Sequence, residues 1–200
     1  MGFFNYSKTE LDYLRRRDKR LGRAIDQIGI IERPVTPDLF TALVSSIISQ
    51  QISAKAAVTV RSRLQERLGA IIPETIASAS VEEIQQCGLS TRKAGYIKGI
   101  GMAIVQEELN LSSLHELSDE EVIAKLSALK GVGTWTAEML LIFSMERPDV
   151  VSWDDLAIRR GIMKHYGHKT LTREQFERYR KRYSPYGSVA SLYLWAVSHT

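Results

Sequence analysis

Two short stretches of the chain carry residue types that could do chemistry. The first, Leu129–Ala137, reads Leu-Lys-Gly-Val-Gly-Thr-Trp-Thr-Ala and ends in the predicted start of a helix. A glycine turn that opens onto a helix N-terminus can hold a phosphate with backbone N–H groups. The second stretch, Trp153–Asp155, places carboxylates at the predicted start of another helix. A phosphate-binding turn together with a placed carboxylate suggests an enzyme that acts on nucleic acid.

The composition predicts a compact protein with a substantial core. Of its 200 residues, 44% are hydrophobic and 25% are charged. The single cysteine, Cys87, excludes an internal disulfide and any multi-cysteine zinc or iron–sulfur site. No apolar run approaches the length of a membrane span, and the N-terminus has no apolar stretch of signal-peptide length. We therefore expect a cytoplasmic protein that does not contact a membrane.

The net charge of +4 is only mildly basic, but it is unevenly distributed. Residues 101–150 are net acidic, whereas the other three quarters of the chain are net basic. A nucleic-acid surface could be built from the basic parts. On charge alone, a solvated surface of mixed charge explains the pattern equally well.

Helix-start signals recur along the chain, and strand signals are scarce. The pair Thr36-Pro37 fits an N-cap followed by proline at the first helical position. The pattern as a whole predicts about ten helices, with only Pro148–Val151 as a candidate extended piece. Three of the start signals fit capping boxes: Ser7-x-x-Glu10, Ser80-x-x-Glu83 and Ser118-x-x-Glu121. Thr172-x-x-Gln175 is expected to open another helix.

The glycine stretch predicts a tight turn between two helices. Gly131 and Gly133 can adopt positive φ and allow another backbone to approach closely. Val132 would anchor the turn in the core, so that the N–H groups of residues 133–135 face outward. A plain helix–helix turn with a glycine cap is the alternative for Gly-Val-Gly alone. The threonines that follow and the downstream aspartates favour the phosphate-binding interpretation.

Taken together, these motifs resemble the helix-hairpin-helix DNA glycosylases, and within them the alkylpurine, 3-methyladenine DNA glycosylase II branch. The resemblance covers about Leu39 to Trp195. Besides the stretches above, it rests on Pro185-Tyr186 leading to Tyr193-Leu194-Trp195, and on Ser46–Ser53, which resembles the wedge segment of that branch.

The resemblance implies an all-α fold with two lobes and a cleft between them. Residues 1–200 would form a single glycosylase unit. Its approximate lobes are residues 36–140, with the wedge segment and the hairpin, and residues 1–35 plus 141–200, with the catalytic aspartate and the terminal helices.

The catalytic aspartate of the family falls on Asp155, and the chemistry agrees. Cleavage of an N-glycosidic bond builds positive charge on the sugar, which a nearby carboxylate stabilises. The carboxylate can also orient or deprotonate the attacking water. A helix N-terminus favours the anion, which suits a cationic N-alkylated purine that leaves without protonation. The alternative is that both aspartates only cap the next helix. We assign capping mainly to Asp154 and catalysis to Asp155.

Position 135 distinguishes two reactions within the family. Relatives that also cut the strand place a Schiff-base lysine two residues after the second hairpin glycine, where this chain has Trp135. Tryptophan cannot form the imine. The resemblance therefore implies a monofunctional glycosylase of base excision repair that leaves an abasic site. The alternatives are a bifunctional glycosylase/lyase and a non-catalytic helix-hairpin-helix DNA-binding protein.

The resemblance also assigns residues to the pocket of the flipped base. Trp135 offers a face on which such a base can stack, and Trp195 matches a pocket tryptophan of the branch. Met139 and Leu156 take pocket positions that are aromatic in some relatives. Trp153 could line the site as well, although core packing is the favoured interpretation of its position.

The wedge segment is expected to fill the gap that the flipped base leaves. Gln51, between Gln50 and Ile52, occupies the position from which the family inserts a side chain. Filling the gap offsets part of the unstacking cost of a few kcal/mol. The alternative is a polar residue at a helix end that is simply exposed to water.

The resemblance implies double-stranded DNA with alkylated bases as the partner, and a monomeric, nucleoid-associated enzyme if the source is bacterial. No cofactor is required, and no iron–sulfur cluster is expected. In the family, the hairpin also binds a monovalent cation, Na⁺ or K⁺, through backbone carbonyls, here those of Ser127, Leu129 and Val132. The residues implied to contact a DNA phosphate are Gly131, Val132, Gly133, Thr134 and Thr136.

Overall fold

The structure, a computed structural model, describes residues 2–199 and is predominantly helical, which confirms the predicted all-α class. Within this range there are twelve α-helices, one 3-10 helix (Ser112–Glu116) and one small antiparallel sheet, in which β1 (Gly2–Phe3) pairs with β2 (Pro34–Val35). The α-helices are α1 (Lys8–Arg17), α2 (Lys19–Ile28), α3 (Leu39–Ser49), α4 (Ala54–Leu68), α5 (Pro73–Ser78), α6 (Val81–Gln85), α7 (Thr91–Val105), α8 (Asp119–Ser127), α9 (Thr134–Phe143), α10 (Leu156–Tyr166), α11 (Arg173–Tyr183) and α12 (Gly187–His199). No helix in residues 2–199 is both long and apolar enough to cross a membrane.

The chain divides into two compact units. One consists of Met1–Val35 together with Leu141–Thr200, and the other of Thr36–Leu140. The boundary at residues 140/141 falls within α9. We refer to them below as the two-segment unit and the contiguous unit.

Local capping explains where most helices begin. The three predicted capping boxes are present at α1, α6 and α8, and the predicted helix start at Thr172 also proves to be a capping box, at α11. In each, a hydroxyl accepts the N–H of the third helical residue or its neighbour, and the Glu or Gln side chain accepts the cap residue's own N–H. These interactions join residues only three positions apart, so the sequence alone specifies them.

The start of α3 differs from the prediction. Thr36 was expected to cap the helix with Pro37 as its first residue, and this is wrong because α3 begins two residues later. Asp38 is the cap, and its Oδ1 accepts the N–H of Thr41 at 2.7 Å. An aspartate is at least as good a cap as threonine, and its negative charge adds a favourable interaction with the helix dipole.

The interpretation of Pro148–Val151 as an extended piece is also wrong. Pro148 and Asp149 form a turn, and no residue of this segment pairs with a strand. The backbone of Val150 is satisfied by side chains of α12, since its N–H donates to Ser188 Oγ at 3.0 Å and its carbonyl accepts from Ser191 Oγ at 3.0 Å. Polar side chains take the place of a neighbouring strand.

In the two-segment unit, α10 and α12 pack closely at a glycine. A Cβ on Gly161 would lie 2.2 Å from the carbonyl oxygen of Leu194, so only glycine allows the two backbones to come this near. The N-terminal segment joins the same core, because Tyr193 on α12 is fully buried and its hydroxyl donates to the carbonyl of Gly29 at 2.8 Å.

A buried carboxylate links the N-terminal helices to α10 and α11. Asp18, only 4% exposed, caps α2 by accepting the N–H groups of Arg20 and Leu21 at 3.0 Å each. It also accepts from Tyr166 Oη at 2.7 Å and from Arg182 Nη1 at 2.8 Å. Burial opposes ionisation of Asp18, but these hydrogen bonds outweigh it and lower the pKa of the carboxyl group.

Candidate functional site

The glycine hairpin, residues 128–133, connects α8 to α9 in the contiguous unit. Its turn is closed by the N–H of Val132, which donates to the carbonyl of Leu129 at 3.1 Å. The Val132 side chain is 5% exposed, which confirms that it anchors the turn in the core. The carbonyl of Gly133 accepts from Ala137 at 3.0 Å and so begins the backbone ladder of α9. The positive end of the α9 dipole therefore lies beside Gly133.

The two hairpin glycines are required for different reasons. Gly131 has a φ of +89°, and a Cβ at this position would lie 2.3 Å from Cδ2 of Tyr96. Gly133 has an ordinary φ, is exposed, and has no neighbouring heavy atom within 4 Å of where its Cβ would be. Gly131 thus serves the packing of the hairpin, whereas Gly133 leaves space on its outer side.

The wedge segment, Ser46–Ser53, comprises the end of α3 and the turn before α4, and it lies in the same unit. Gln51 is exposed and has a left-handed φ of +59°, and Ile52 is 39% exposed. Gln50 is directed differently, since its side-chain Nε2 donates to the carbonyl of Gly131 at 2.8 Å. Of the three predicted wedge residues, Gln51 and Ile52 are therefore presented to solvent, and Gln50 contacts the hairpin.

The candidate carboxylate lies in the two-segment unit, at the start of α10. Asp155 is 7% exposed and its Oδ1 accepts the N–H of Ile158 at 2.9 Å, which makes it the N-cap. The prediction that Asp154 does most of the capping is wrong, because α10 begins at Leu156 and Asp154 is exposed. Asp155 is thus held in place by the helix whose N-terminus it occupies, and Leu156 beside it is 57% exposed.

The chain leading into Asp155 is fixed by two serines of α12. Ser188 Oγ donates to the carbonyl of Arg147 at 2.5 Å and accepts from Val150, while Ser191 Oγ bonds the carbonyl of Val150. Both serines are fully buried. These contacts were not predicted from the sequence, although two serines three residues apart in the mostly apolar first half of α12 are a readable signal.

Asp149 provides a second attachment for the same segment. Its Oδ1 accepts the N–H of Gly187 at 3.0 Å and its Oδ2 accepts from Ser184 Oγ at 2.6 Å. A Cβ on Gly187 would lie 2.7 Å from Asp149 Oδ1. No local sequence pattern identifies Asp149, because both of its partners are more than thirty positions away.

The tryptophans are placed in different environments. Trp135, on the first turn of α9, is 45% exposed, and Met139 follows it one turn later. Trp195 is partly exposed and its ring lies 5.4 Å from that of Phe143. The guanidinium of Arg33 lies 4.9 Å from the Phe143 ring centre.

Trp153 has more extensive aromatic and cationic contacts within its unit. Its ring meets Phe176 edge to face at 5.2 Å, with the guanidinium groups of Arg159 and Arg173 at 4.9 and 5.1 Å from the ring centre. Such contacts stabilise a packed ring. They favour the packing interpretation of Trp153 over a place in a base pocket.

The residues of the expected cation site surround the hairpin turn. Ser127 ends α8, and the carbonyl of Leu129 already accepts the N–H of Val132, which leaves it one lone pair. Backbone carbonyls are hard oxygen donors that suit an alkali-metal ion. Among the residues that the structure describes, no cluster of three or more His, Cys, Asp or Glu side chains could hold a metal.

Comparisons with known proteins identify the family of the chain. Residues 44–185 match the family model of the HhH-GPD superfamily base excision DNA repair proteins. The chain is 35% identical over 164 residues to DNA-3-methyladenine glycosylase 1 of Schizosaccharomyces pombe, an alignment covering 80% of this chain and 72% of that protein.

Two solved structures are similar over nearly the whole chain. A DNA-3-methyladenine glycosidase from Bacillus halodurans has 35% identity and a TM-score of 0.89, with 100% of this chain and 94% of that chain covered. The S. pombe 3-methyladenine DNA glycosylase Mag1 in complex with abasic DNA has 30% identity and a TM-score of 0.76, with 96% and 97% covered. The chain therefore belongs to the HhH-GPD superfamily of base excision DNA repair proteins, in its alkylpurine, 3-methyladenine DNA glycosylase branch.

Proposed function

We propose that this protein is a monofunctional DNA glycosylase that removes alkylated purines from double-stranded DNA and leaves an abasic site. The observation that carries the proposal is Asp155, a carboxylate 7% exposed and fixed at the N-terminus of α10, in a chain of a base excision repair superfamily. Relatives and solved structures named as 3-methyladenine glycosylases support the alkylpurine class of substrate.

In this reaction Asp155 stabilises positive charge. As the N-glycosidic bond breaks, the sugar becomes an oxocarbenium-like cation, and a carboxylate that is already oriented stabilises it without reorganisation. Asp155 is held in one position by its hydrogen bond from the Ile158 N–H. The hydrogen bonds of residues 147–151 with α12 fix the chain that leads to it. The same carboxylate orients the water that attacks the sugar. An N-alkylated purine carries positive charge itself, so it leaves without an acid.

Trp135 is the basis for proposing that the strand stays intact. The lyase reaction needs an amine at this position to form an imine with the sugar, and an indole has no such amine. We propose instead that Trp135, which is 45% exposed, stacks on the flipped base. Trp195, Met139 and Leu156 are proposed to contact the same base, and Gln51 to fill the gap in the duplex.

The proposed phosphate contact at the hairpin gives a prediction that separates its two glycines. Gly133→Ala should leave the thermal unfolding midpoint within about 2 °C of wild type but weaken duplex binding by about tenfold, because its methyl group occupies the space that a phosphate needs. Gly131→Ala should lower the midpoint by more than about 4 °C, because its methyl group collides with Tyr96. Fluorescence anisotropy and thermal melts measure both. Equal effects of the two variants on folding would contradict this division of roles.

Three further features belong to the proposal. An alkali-metal ion held by the carbonyls of Ser127, Leu129 and Val132 would add positive charge beside the phosphate. The protein is expected to act as a monomer and to need no other cofactor. As a repair enzyme it would work in the cytoplasm, in association with the nucleoid if the source is bacterial.

The proposed function is tested by base release from defined duplexes. Oligonucleotides carrying 3-methyladenine, 7-methylguanine, ethenoadenine or hypoxanthine are incubated with the protein, and the freed base is quantified by chromatography. We expect release of at least one alkylated purine, with strand breaks appearing only after alkali. Breaks without alkali would instead identify a glycosylase/lyase, and no release from any duplex would indicate a DNA-binding protein without catalysis.

A further inference from the structure

One face of α7 contacts both the wedge segment and the glycine hairpin, the two parts of the contiguous unit that are proposed to bind DNA. Lys93 and Tyr96 lie one turn apart on this helix. The Lys93 ammonium donates to the carbonyl of Ile48 at 3.0 Å and also to the carbonyl of Gln50. The Tyr96 ring fills the space that a side chain on Gly131 would need. The wedge segment and the hairpin therefore share a single support.

The contact of Lys93 with the wedge segment is well matched in charge. The last carbonyls of α3 have no partner in the helix and form the negative end of its dipole. A lysine ammonium supplies three donors, and two of them meet carbonyls at this end. Burial lowers the pKa of Lys93, and the neighbouring Arg92 lowers it further.

The residue next to these carbonyls has an unusual backbone conformation. Gln51 has a φ of +59°, in the left-handed region that non-glycine residues seldom adopt. Such a conformation persists only where the surroundings determine it. Here two hydrogen bonds fix the preceding residue, Gln50. Its backbone carbonyl accepts from the Lys93 ammonium, and its side-chain amide donates to the carbonyl of Gly131.

We propose that Lys93 is a positioning residue that holds Gln51 in the conformation needed to enter the DNA gap, and that Gln50 joins this segment to the hairpin. Phosphate binding and gap filling are then performed by one preassembled element. The inference rests on the proposed function. Positioning Gln51 in advance should raise the rate of base release, because a side chain that is already ordered loses little conformational entropy when it enters the duplex.

The chain contains a matched control for Lys93. Lys98, also on α7 and also partly buried, donates to the carbonyls of Ala77 at 3.0 Å and Ala79 at 2.6 Å, at the end of α5. It makes the same kind of contact with a segment that has no proposed role in DNA binding. Lys98→Met therefore reports what the loss of such a contact does to the fold alone.

The test is a double-mutant cycle between Lys93 and Gln51. If Lys93 acts through Gln51, Lys93→Met should lower kcat/KM for a paired lesion by about tenfold in wild type, but by less than about twofold when Gln51→Ala is already present. Lys98→Met should change kcat/KM by less than about twofold in both backgrounds. A tenfold loss from Lys93→Met in both backgrounds would overturn the proposal, as would equal effects of Lys93→Met and Lys98→Met.

A binding measurement keeps this test independent of catalysis. A duplex with a stable abasic analogue beside 2-aminopurine reports gap filling through the fluorescence change on saturation with protein. Lys93→Met and Gln50→Met should both reduce this change to less than about half of the wild-type value, and Lys98→Met should not. Gln50→Met serves if Lys93→Met does not fold. Full fluorescence changes for both variants would refute the inference, whereas absence of base release by wild type would refute only the proposed function.

Discussion

Replacing Asp155 with asparagine should lower the rate of base release by at least about 100-fold and change the affinity for lesion-containing duplex by less than about threefold. Asparagine keeps the shape of the side chain and remains a good N-cap, so its Oδ1 can still accept the N–H of Ile158. What is lost is the negative charge that we propose stabilises the sugar cation. Single-turnover release and anisotropy titration measure the two quantities separately.

Asp154→Asn is the matched control for this prediction. Asp154 is adjacent in sequence and exposed, and it does not cap α10. Its replacement removes the same charge from nearly the same place, so any effect of net charge on DNA binding appears in both variants. We expect Asp154→Asn to release base within about threefold of the wild-type rate. If Asp155→Asn were equally active, the catalytic carboxylate would have to be a different residue.

Replacing Gly161 with alanine should lower the free energy of unfolding by about 3 kcal/mol. The new methyl carbon would lie 2.2 Å from the carbonyl oxygen of Leu194, and that atom is backbone, so no side-chain rotation can relieve the overlap. Helices α10 and α12 would have to separate by roughly 1 Å and lose contact along their shared surface. Urea unfolding followed by circular dichroism measures the change.

Gly99→Ala shows what the same substitution does in an open part of a helix. Gly99 lies within α7, is exposed, and has nothing within 4 Å of its missing Cβ. Alanine is the better helix former, so this variant should be more stable than wild type by about 0.5–1 kcal/mol. The opposite signs of the two glycine-to-alanine changes are the expected result. A Gly161→Ala variant as stable as wild type would mean that α10 and α12 are less tightly packed than described.

Features that depend on neighbours in sequence were predicted well. The capping boxes, the hairpin between two helices and the burial of Val132 all follow from patterns within a few residues. The errors at Thr36 and Asp154 are shifts of one or two residues in a helix start, which arise where several residues in succession are acceptable caps.

Features that depend on distant residues could not be predicted from the sequence. Lys93 meets a carbonyl 45 positions away, and Ser188 meets the segment before Asp155 at a separation of 38. No local pattern identifies which carbonyl a buried lysine or serine will find, because tertiary packing decides it. The sequence thus indicated which residues could do chemistry, and the structure adds the groups that hold them.

The order of the two units along the chain has a consequence for biosynthesis. The elements of the contiguous unit, Thr36–Leu140, have all been made once α9, which continues to Phe143, has left the ribosome. The two-segment unit must wait for α12, whose Tyr193 bonds the carbonyl of Gly29. The residues of the hairpin and the wedge segment are therefore synthesised well before the last helix of the unit that contains Asp155, so a chain that ends before α12 lacks the partner that the Gly29 carbonyl has in the complete structure.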